Sequence, residues 1–351
     1  MKEHRCDILV IGAGPAGACA ARRSAQTGAN VLLAERKKII GEPVRCAEFI
    51  PRQLLGKLDC NKNFIVQQVK GMKSILPDNQ IIETPGPGLM INRDIFDQAL
   101  AQKAKEAGAE IWTETRMLTN DNGWVVAERN REHIRIKPDI IIGADGPHTR
   151  VGRWIGSTNK NLIPAVQARV VLRDTSDSTE VYFDKQYFGS YAWLFPKGNI
   201  ANAGLGIKQG SSLVNIRESL NCFLKNLKKQ HRITGEVKGY TAGWVPAGPP
   251  RKIVKGNVML AGDAAGHTHP ITGAGVSQAV TGGAMAGKWA AEAIKKGDIK
   301  LLKSYEEEWM ELYGESLERA CKRREMMEKS WNDLDKVIRK CWAVFKEYYR
   351  D

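Results

Sequence analysis

The stretch Cys6–Arg36, CDILVIGAGPAGACAARRSAQTGANVLLAER, permits few folds. Asp7–Ile11 is a short, mostly apolar run, the pattern of a strand buried on both faces. Gly12, Gly14 and Gly17 follow directly as G-x-G-x-x-G and open a helix. Gly12 permits the tight turn, Gly14 lets the backbone approach a pyrophosphate, and Gly17 lets the helix pack on the strand. The helix N-terminus offers free N–H groups and partial positive charge to phosphates. Small Ala16, Ala20 and Ala21 keep that helix close to the sheet. Asn30–Ala34 reads as the next strand, and Glu35 ends it where a ribose hydroxyl needs a carboxylate acceptor. Together these residues predict a dinucleotide site.

Two later strands end in comparable loops. Asp139–Ile142 runs into GADG, and Asn257–Ala261 into Gly262 and Asp263. The loops Gly12–Gly17, Gly143–Arg153 and Gly262–Gly275 thus fall at carboxyl ends of buried strands, where open α/β sheets bind ligands. Asp263 can accept from a sugar-chain hydroxyl. Gly273 and Gly275 permit close approach to a planar ring. The helix opening at Gly275 and Val276 aims its positive end at that ring, which suits the anion of a reduced flavin.

Between these loops the pattern changes. Phe64–Thr84 alternates loosely, as strands of a second sheet. Asn92 is placed to cap a helix to about Ala107. Strands are expected at 110–115, 124–128 and 133–137. Ala165–Leu172, Glu180–Phe195 and Ile200–Ile207 read as antiparallel strands of a separate domain. Ser211 or Ser212 is placed to cap an amphipathic helix carrying Leu213, Ile216, Leu220, Phe223, Leu224 and Leu227. From Lys300 the pattern is helical to the end, with one stripe of Leu302, Tyr305, Trp309 and Leu312. A second stripe holds Met327, Trp331, Leu334, Ile338, Trp342 and Phe345. These aromatics pack helices, close a substrate tunnel or touch a membrane. The expected division is a discontinuous cofactor domain (1–60, 86–162 and 246–297), a substrate domain (61–85 and 163–245) and a helical region (298–351).

The chain has 351 residues, and its 53 basic against 39 acidic side chains leave a net charge of +14. That excess is either a solvated surface or an attraction to anionic lipid, diphosphate or an acidic electron donor. No basic-aromatic motif points to nucleic acid. Seven cysteines without a C-x-x-C pair argue against structural zinc, iron–sulfur ligation and a disulfide framework. His267 and His269 lack acidic or sulfur partners, so no metal is assigned; they are expected to contact cofactor or backbone, and His148 likewise. The first strand starts too early for a signal peptide and no apolar run reaches membrane-span length, so a cytoplasmic protein is expected, peripheral at most at the inner membrane face.

The three-loop pattern resembles FAD-dependent oxidoreductases of the p-hydroxybenzoate hydroxylase (GR2-type) fold: α/β, a Rossmann-like FAD-binding domain, an inserted antiparallel-sheet substrate domain and C-terminal helices. IIGADGPHTRVGRW is similar to that family's D-G motif, with Thr149 where serine is usual. Within the fold the chain resembles the geranylgeranyl reductase family. Its Y-x-W-x-F-P stands as Tyr191, Trp193, Phe195 and Pro196, its P-V-R-C-G-E-G as PVRCAEF, and GWVPAGPP also fits. Ala47 and Phe49 replace expected glycines. The resemblance implies FAD held by Gly12, Gly14, Ala16, Gly17, Glu35, Arg36, Arg45, Cys46, Ala47, Arg93, Asp145, Asp263, Gly273, Gly275 and Val276. It implies a prenyl chain held by Tyr191, Trp193, Phe195 and Pro196, with Cys46, Tyr191 and Trp193 catalytic.

The implied reaction is saturation of prenyl C=C bonds on a diphosphate, lipid or quinone. An unpolarised alkene would be protonated toward a tertiary carbocation and receive hydride from the flavin. Tyr191 and Trp193 either face that cation or wall the chain. Cys46, with Arg45 before it to lower its pKa, is a proton donor, a flavin-positioning group or a small residue packed on the ring. NAD(P)H or a ferredoxin would supply electrons. The alternatives are a flavin monooxygenase or halogenase, and an electron carrier to a quinone.

Overall fold

The computed structural model describes residues 1–208 and 215–350. Two sheets of eight strands each form its frame. In the first, Val258–Leu260, Glu132–Gly143, Lys2–Ile11, Val31–Ala34 and Glu110–Trp112 lie side by side and parallel. Their central residues are apolar on both faces because helices or a second layer cover each side; Ile8, Leu9, Val10, Ile141 and Ile142 are fully buried. A hairpin, Thr115–Asp121 with Trp124–Arg129, joins the near half of Glu132–Gly143 antiparallel. The strand Lys2–Ile11 starts earlier than its apolar run, because its polar first half pairs with Ile134–Pro138.

Helix Pro15–Ala25 crosses this sheet with Val276–Lys296 laid on it. The contact depends on two glycines. A Cβ at Gly283 would sit 2.1 Å from the carbonyl oxygen of Ala16, and one at Gly287 2.3 Å from that of Ala20.

The second sheet runs Ile233–Pro246, Leu162–Leu172, Ile200–Gly206, Ala192–Lys197, Ser178–Tyr182, Ile65–Ile75, Ile81–Ile91, Phe49–Pro51. It is mixed rather than wholly antiparallel: Ser178–Tyr182 pairs parallel with Gly71–Ile75, since the long connection from residue 75 to 178 lets the chain re-enter in the same direction. It also takes in Phe49–Pro51 and residues 86–91, which the expected division left with the cofactor domain. Backbone pairing, invisible to composition, sets these residues in the second sheet.

Three helix ends differ from expectation. Asn92 holds the N-cap position of Arg93–Glu106, but its side chain caps nothing. Glu48 reaches from another loop and accepts the Arg93 N–H at 3.0 Å. The amphipathic helix is Ile216–Lys229, capped by Asn215, whose side chain accepts from Arg217 N–H; Ser211, Ser212 and Leu213 lie outside the described residues. The C-terminal region is not one helix to the end. Lys303–Lys329 stops at Ser330, Leu334–Cys341 follows, and the chain leaves the helix at Trp342. Leu312 is 60% exposed and belongs to no packing stripe. Trp331, Leu334, Ile338, Trp342, Phe345 and Tyr348 instead form a core with Val181, Phe183 and Phe195 of the second sheet.

Candidate active site

The loops after Ile11, Gly143 and Leu260 follow neighbouring parallel strands and therefore emerge on one edge. Gly12 has φ +101°, and a Cβ there would meet the Ala144 carbonyl oxygen at 2.4 Å. One at Gly17 would lie 1.8 Å from the Gly12 oxygen. These two glycines close the first loop on the second. Gly14 differs: a Cβ there would meet nothing within 4 Å, because the residue faces a cavity.

That cavity measures about 580 Å³ and lies between the two sheets. Two helices begin at its wall, Pro15–Ala25 after Gly14 and Val276–Lys296 after Gly275, and no side chain caps either one. Two sets of free N–H groups and two positive helix ends therefore face one space. Asp263 lines the same wall and is half-buried; its Oδ1 accepts from the Thr268 hydroxyl at 2.9 Å. Burial pushes its carboxyl up, against the Thr268 bond and the Arg93 charge. Open space at Gly14, two uncapped helix N-termini and a carboxylate acceptor fit a flavin dinucleotide, whose phosphates the N–H groups would hold and whose sugar-chain hydroxyl Asp263 would take.

The rest of the cavity lining is largely apolar and aromatic. Tyr191, Trp193 and Phe195 line it from the second sheet, and Trp342 and Val344 from the C-terminal segment. Trp342 meets Tyr191 edge-on at 5.1 Å, and Tyr191 meets Trp193 at 6.1 Å. The Tyr191 hydroxyl donates to the Thr272 carbonyl at 2.5 Å, and burial holds the phenol protonated well above its usual range. Trp193 Nε1 donates to Gln167 Oε1 at 3.3 Å.

Residues 67–319 match the family model described as FAD binding domain, and residues 7–42 match that of FAD dependent oxidoreductase. A digeranylgeranylglycerophospholipid reductase of Methanothrix thermoacetophila is 35% identical across 95% of this chain and 90% of its own length. The chain belongs to the geranylgeranyl reductase family of FAD-dependent oxidoreductases. A like-named reductase of Methanothermobacter thermautotrophicus is 34% identical over 94% of this chain and 89% of its own. A solved geranylgeranyl bacteriochlorophyll reductase-like structure from Thermoplasma acidophilum superposes with TM-score 0.87 at 28% identity, covering 98% of this chain and 93% of that one. A flavin-dependent brominase, 19% identical with TM-score 0.74 over 99% of this chain and all of its own, shares the fold.

The FAD fold of this reductase brings many of the expected residues to one wall: Gly14, Ala16, Arg45, Cys46, Ala47, Arg93, Asp263, Gly273, Gly275 and Val276 with Tyr191, Trp193 and Phe195. Gly12, Gly17, Glu35, Arg36, Asp145 and Pro196 stand behind or beside it. Glu35 accepts the N–H groups of Ala13 at 2.9 Å and Lys37 at 3.0 Å, bracing the first glycine loop. Asp145 accepts from the Thr149 hydroxyl at 2.5 Å and the Arg150 N–H at 2.6 Å, so it builds its own loop while Ala144 and Gly146 line the cavity. Pro196 lies in the strand Ala192–Lys197, opposite Ala201.

The cation acting on Cys46 is half-buried Arg93; Arg45 is exposed. Arg93 also forms a two-armed ion pair with Asp97, at 3.0 and 2.9 Å, and burial pushes the Asp97 carboxyl up against that pairing. His267 stacks on Trp309 at 3.4 Å, and neither ring nitrogen bonds the backbone among the described residues. His269 does meet backbone: its Nδ1 accepts from Thr272 at 3.2 Å. His148 is exposed, edge-on to Trp244. Among the described residues no cluster of His, Cys, Asp and Glu could hold a metal ion, and no helix is long and apolar enough to cross a membrane.

Sequence reading passed over Glu48, Lys197, Asn202, Gln167 and Arg324. Lys197 and Glu48 form a buried ion pair at 2.8 Å. Arg324, from the C-terminal helix, donates to the carbonyls of Pro270 and Gly189 and ties the flavin loop to the second sheet's loop. Two of these carry a signal in the sequence: Glu48 is the acid of PVRCAEF, and Lys197 is a charge in an otherwise apolar strand that must find a partner.

Proposed function

We propose that this reductase saturates C=C bonds of a geranylgeranyl-type prenyl chain borne by a lipid. The single observation that carries the reading is the make-up of one cavity wall: two uncapped helix N-termini and Asp263 from the first sheet's loops, with aromatic and aliphatic side chains from the second sheet and the C-terminal segment. The names of the relatives favour a glycerophospholipid over a free diphosphate or a quinone. Bound and reduced, FAD supplies the hydride. Tyr191, Trp193, Phe195 and Trp342 exclude water and hold the alkene, and the ring faces of Trp193 and Trp342 favour positive charge on carbon. Tyr191 is a wall residue rather than the acid, because its proton is committed to Thr272. Cys46 is the better acid: its S–H bond breaks as a C–H bond forms, the thiolate remains beside the Arg93 cation, and solvent restores the proton. NAD(P)H or a ferredoxin reduces the FAD, and the basic surface favours an anionic membrane.

The test uses FAD-loaded protein, vesicles containing digeranylgeranyl glycerophospholipid, and dithionite as reductant. Mass spectrometry is expected to find two hydrogens gained per reduced bond, and Cys46→Ser to slow the gain at least ten-fold without expelling FAD. No gain on any prenyl lipid, with oxygen consumed on an aromatic substrate instead, would move the protein to the monooxygenase branch.

A further inference from the structure

The loop Pro43–Phe49 carries Cys46 to the cavity wall, and its backbone is pinned from the second sheet. The Thr241 hydroxyl donates to the Val44 carbonyl at 2.8 Å, Gln167 Nε2 to the Cys46 carbonyl at 2.9 Å, and Asn202 Nδ2 to the Ala47 carbonyl at 3.1 Å. Glu48 is the centre of this arrangement. It is 1% exposed, yet carries a carboxylate. One oxygen accepts from Lys197 Nζ at 2.8 Å and Asn202 Nδ2 at 3.0 Å; the other accepts the Arg93 N–H at 3.0 Å. Its own N–H donates to the Cys46 sulfur at 3.2 Å.

Two features argue against Glu48 as ordinary packing. Its φ is +67°, a region that glycine adopts freely and a glutamate only at a cost. A buried ion pair is also weak as a source of stability, since desolvation offsets much of the attraction. A glycine would relieve the first cost and an apolar residue the second, but neither could join the strand of Lys197, the strand of Asn202 and the start of the Arg93 helix at one point. That point is two residues from Cys46, and Arg93, whose N–H is held there, is a cation lining the same cavity wall as Cys46.

We propose that Glu48, with Lys197 as its counter-ion, is a positioning residue that fixes the Cys46 thiol against Arg93 at the cavity wall. This rests on the reading of Cys46 as the proton donor. The test measures two things in FAD-loaded protein. One is the alkylation rate of Cys46 by iodoacetamide, read by peptide mass spectrometry against exposed Cys222 as an internal reference. The other is kcat and KM for prenyl-lipid reduction. Glu48→Gln leaves Lys197 buried without an anion, and Glu48→Gly removes the carboxylate but suits the backbone. Each is expected to change the Cys46-to-Cys222 ratio at least five-fold and to lower kcat at least ten-fold, with KM within two-fold. The double variant Glu48→Gln, Lys197→Met removes both charges and leaves an acceptor for Asn202 and Arg93. It is expected to return the ratio to within two-fold of the native value.

A native ratio and native kcat in both single variants, with only the melting temperature lowered, would overturn the proposal and leave Glu48 a staple. So would a double variant no closer to native than Glu48→Gln. If Cys46→Ser reduces lipid at the native rate, the proton-donor reading fails instead, while the alkylation ratio still judges Glu48.

Discussion

Acid is expected to weaken the flavin loop through His269. The Nδ1 of His269 accepts the N–H groups of Ile271 at 3.4 Å and Thr272 at 3.2 Å, which places the ring proton on Nε2, beside the Tyr348 hydroxyl at 3.4 Å. A second proton would turn Nδ1 from acceptor to donor and aim it at two donors. Burial accordingly lowers the pKa to about 4 from 6.5. The folded value lies below the unfolded one, so the stabilisation is complete above about pH 6.5 and is lost as pH falls toward 4. The full gap is worth about 3 kcal/mol, of which about 2 kcal/mol disappears between pH 7 and pH 5. Burial lowers His267 as well, so the native pH dependence contains both rings. His269→Asn isolates one of them: its amide oxygen can accept the same N–H groups and does not titrate. Urea unfolding of native and variant protein at pH 7 and pH 5 is the assay. The native protein is expected to lose about 2 kcal/mol more than the variant over that interval. Equal losses would refute the reasoning, and a larger loss in the variant would reverse it.

Gly283→Val places a branched side chain where a Cβ alone would lie 2.1 Å from the Ala16 carbonyl oxygen, and prises the two cofactor helices apart. A loss of about 3 kcal/mol or more is expected, read as a fall in melting temperature and in FAD retained through gel filtration; an unchanged melt would show that the helices do not need the contact. Tyr191→Phe strands the Thr272 carbonyl and is expected to cost about 1–3 kcal/mol in unfolding free energy, with kcat for lipid reduction within three-fold of native. A hundred-fold fall in kcat would make the Tyr191 hydroxyl, not Cys46, the acid.

Much of this protein can be read from local pattern. Ile8–Ile11 with Gly12, Gly14 and Gly17 specifies strand, turn and helix through contacts a few residues apart, and the structure has them there. The same holds for Gly262 to Val276, where the turn glycines and the helix start are neighbours in the chain. Periodicity likewise marked Trp331, Leu334, Ile338 and Trp342 as one apolar stripe, because residues three and four apart share a helix face. It did not reveal that Trp342 leaves the helix and comes to rest on Tyr191, about 150 residues earlier in the chain.

What only the tertiary structure decided are the pairings between distant charges and loops. Glu48 meeting Lys197, 149 residues away, and Arg93 rather than adjacent Arg45 facing Cys46 are outcomes of how two sheets close on one another. Local spacing encodes backbone geometry, since sterics and hydrogen bonding act between near neighbours. A buried charge takes whichever partner the fold delivers, because outside water its free energy depends on one specific opposite charge, wherever along the chain that charge began.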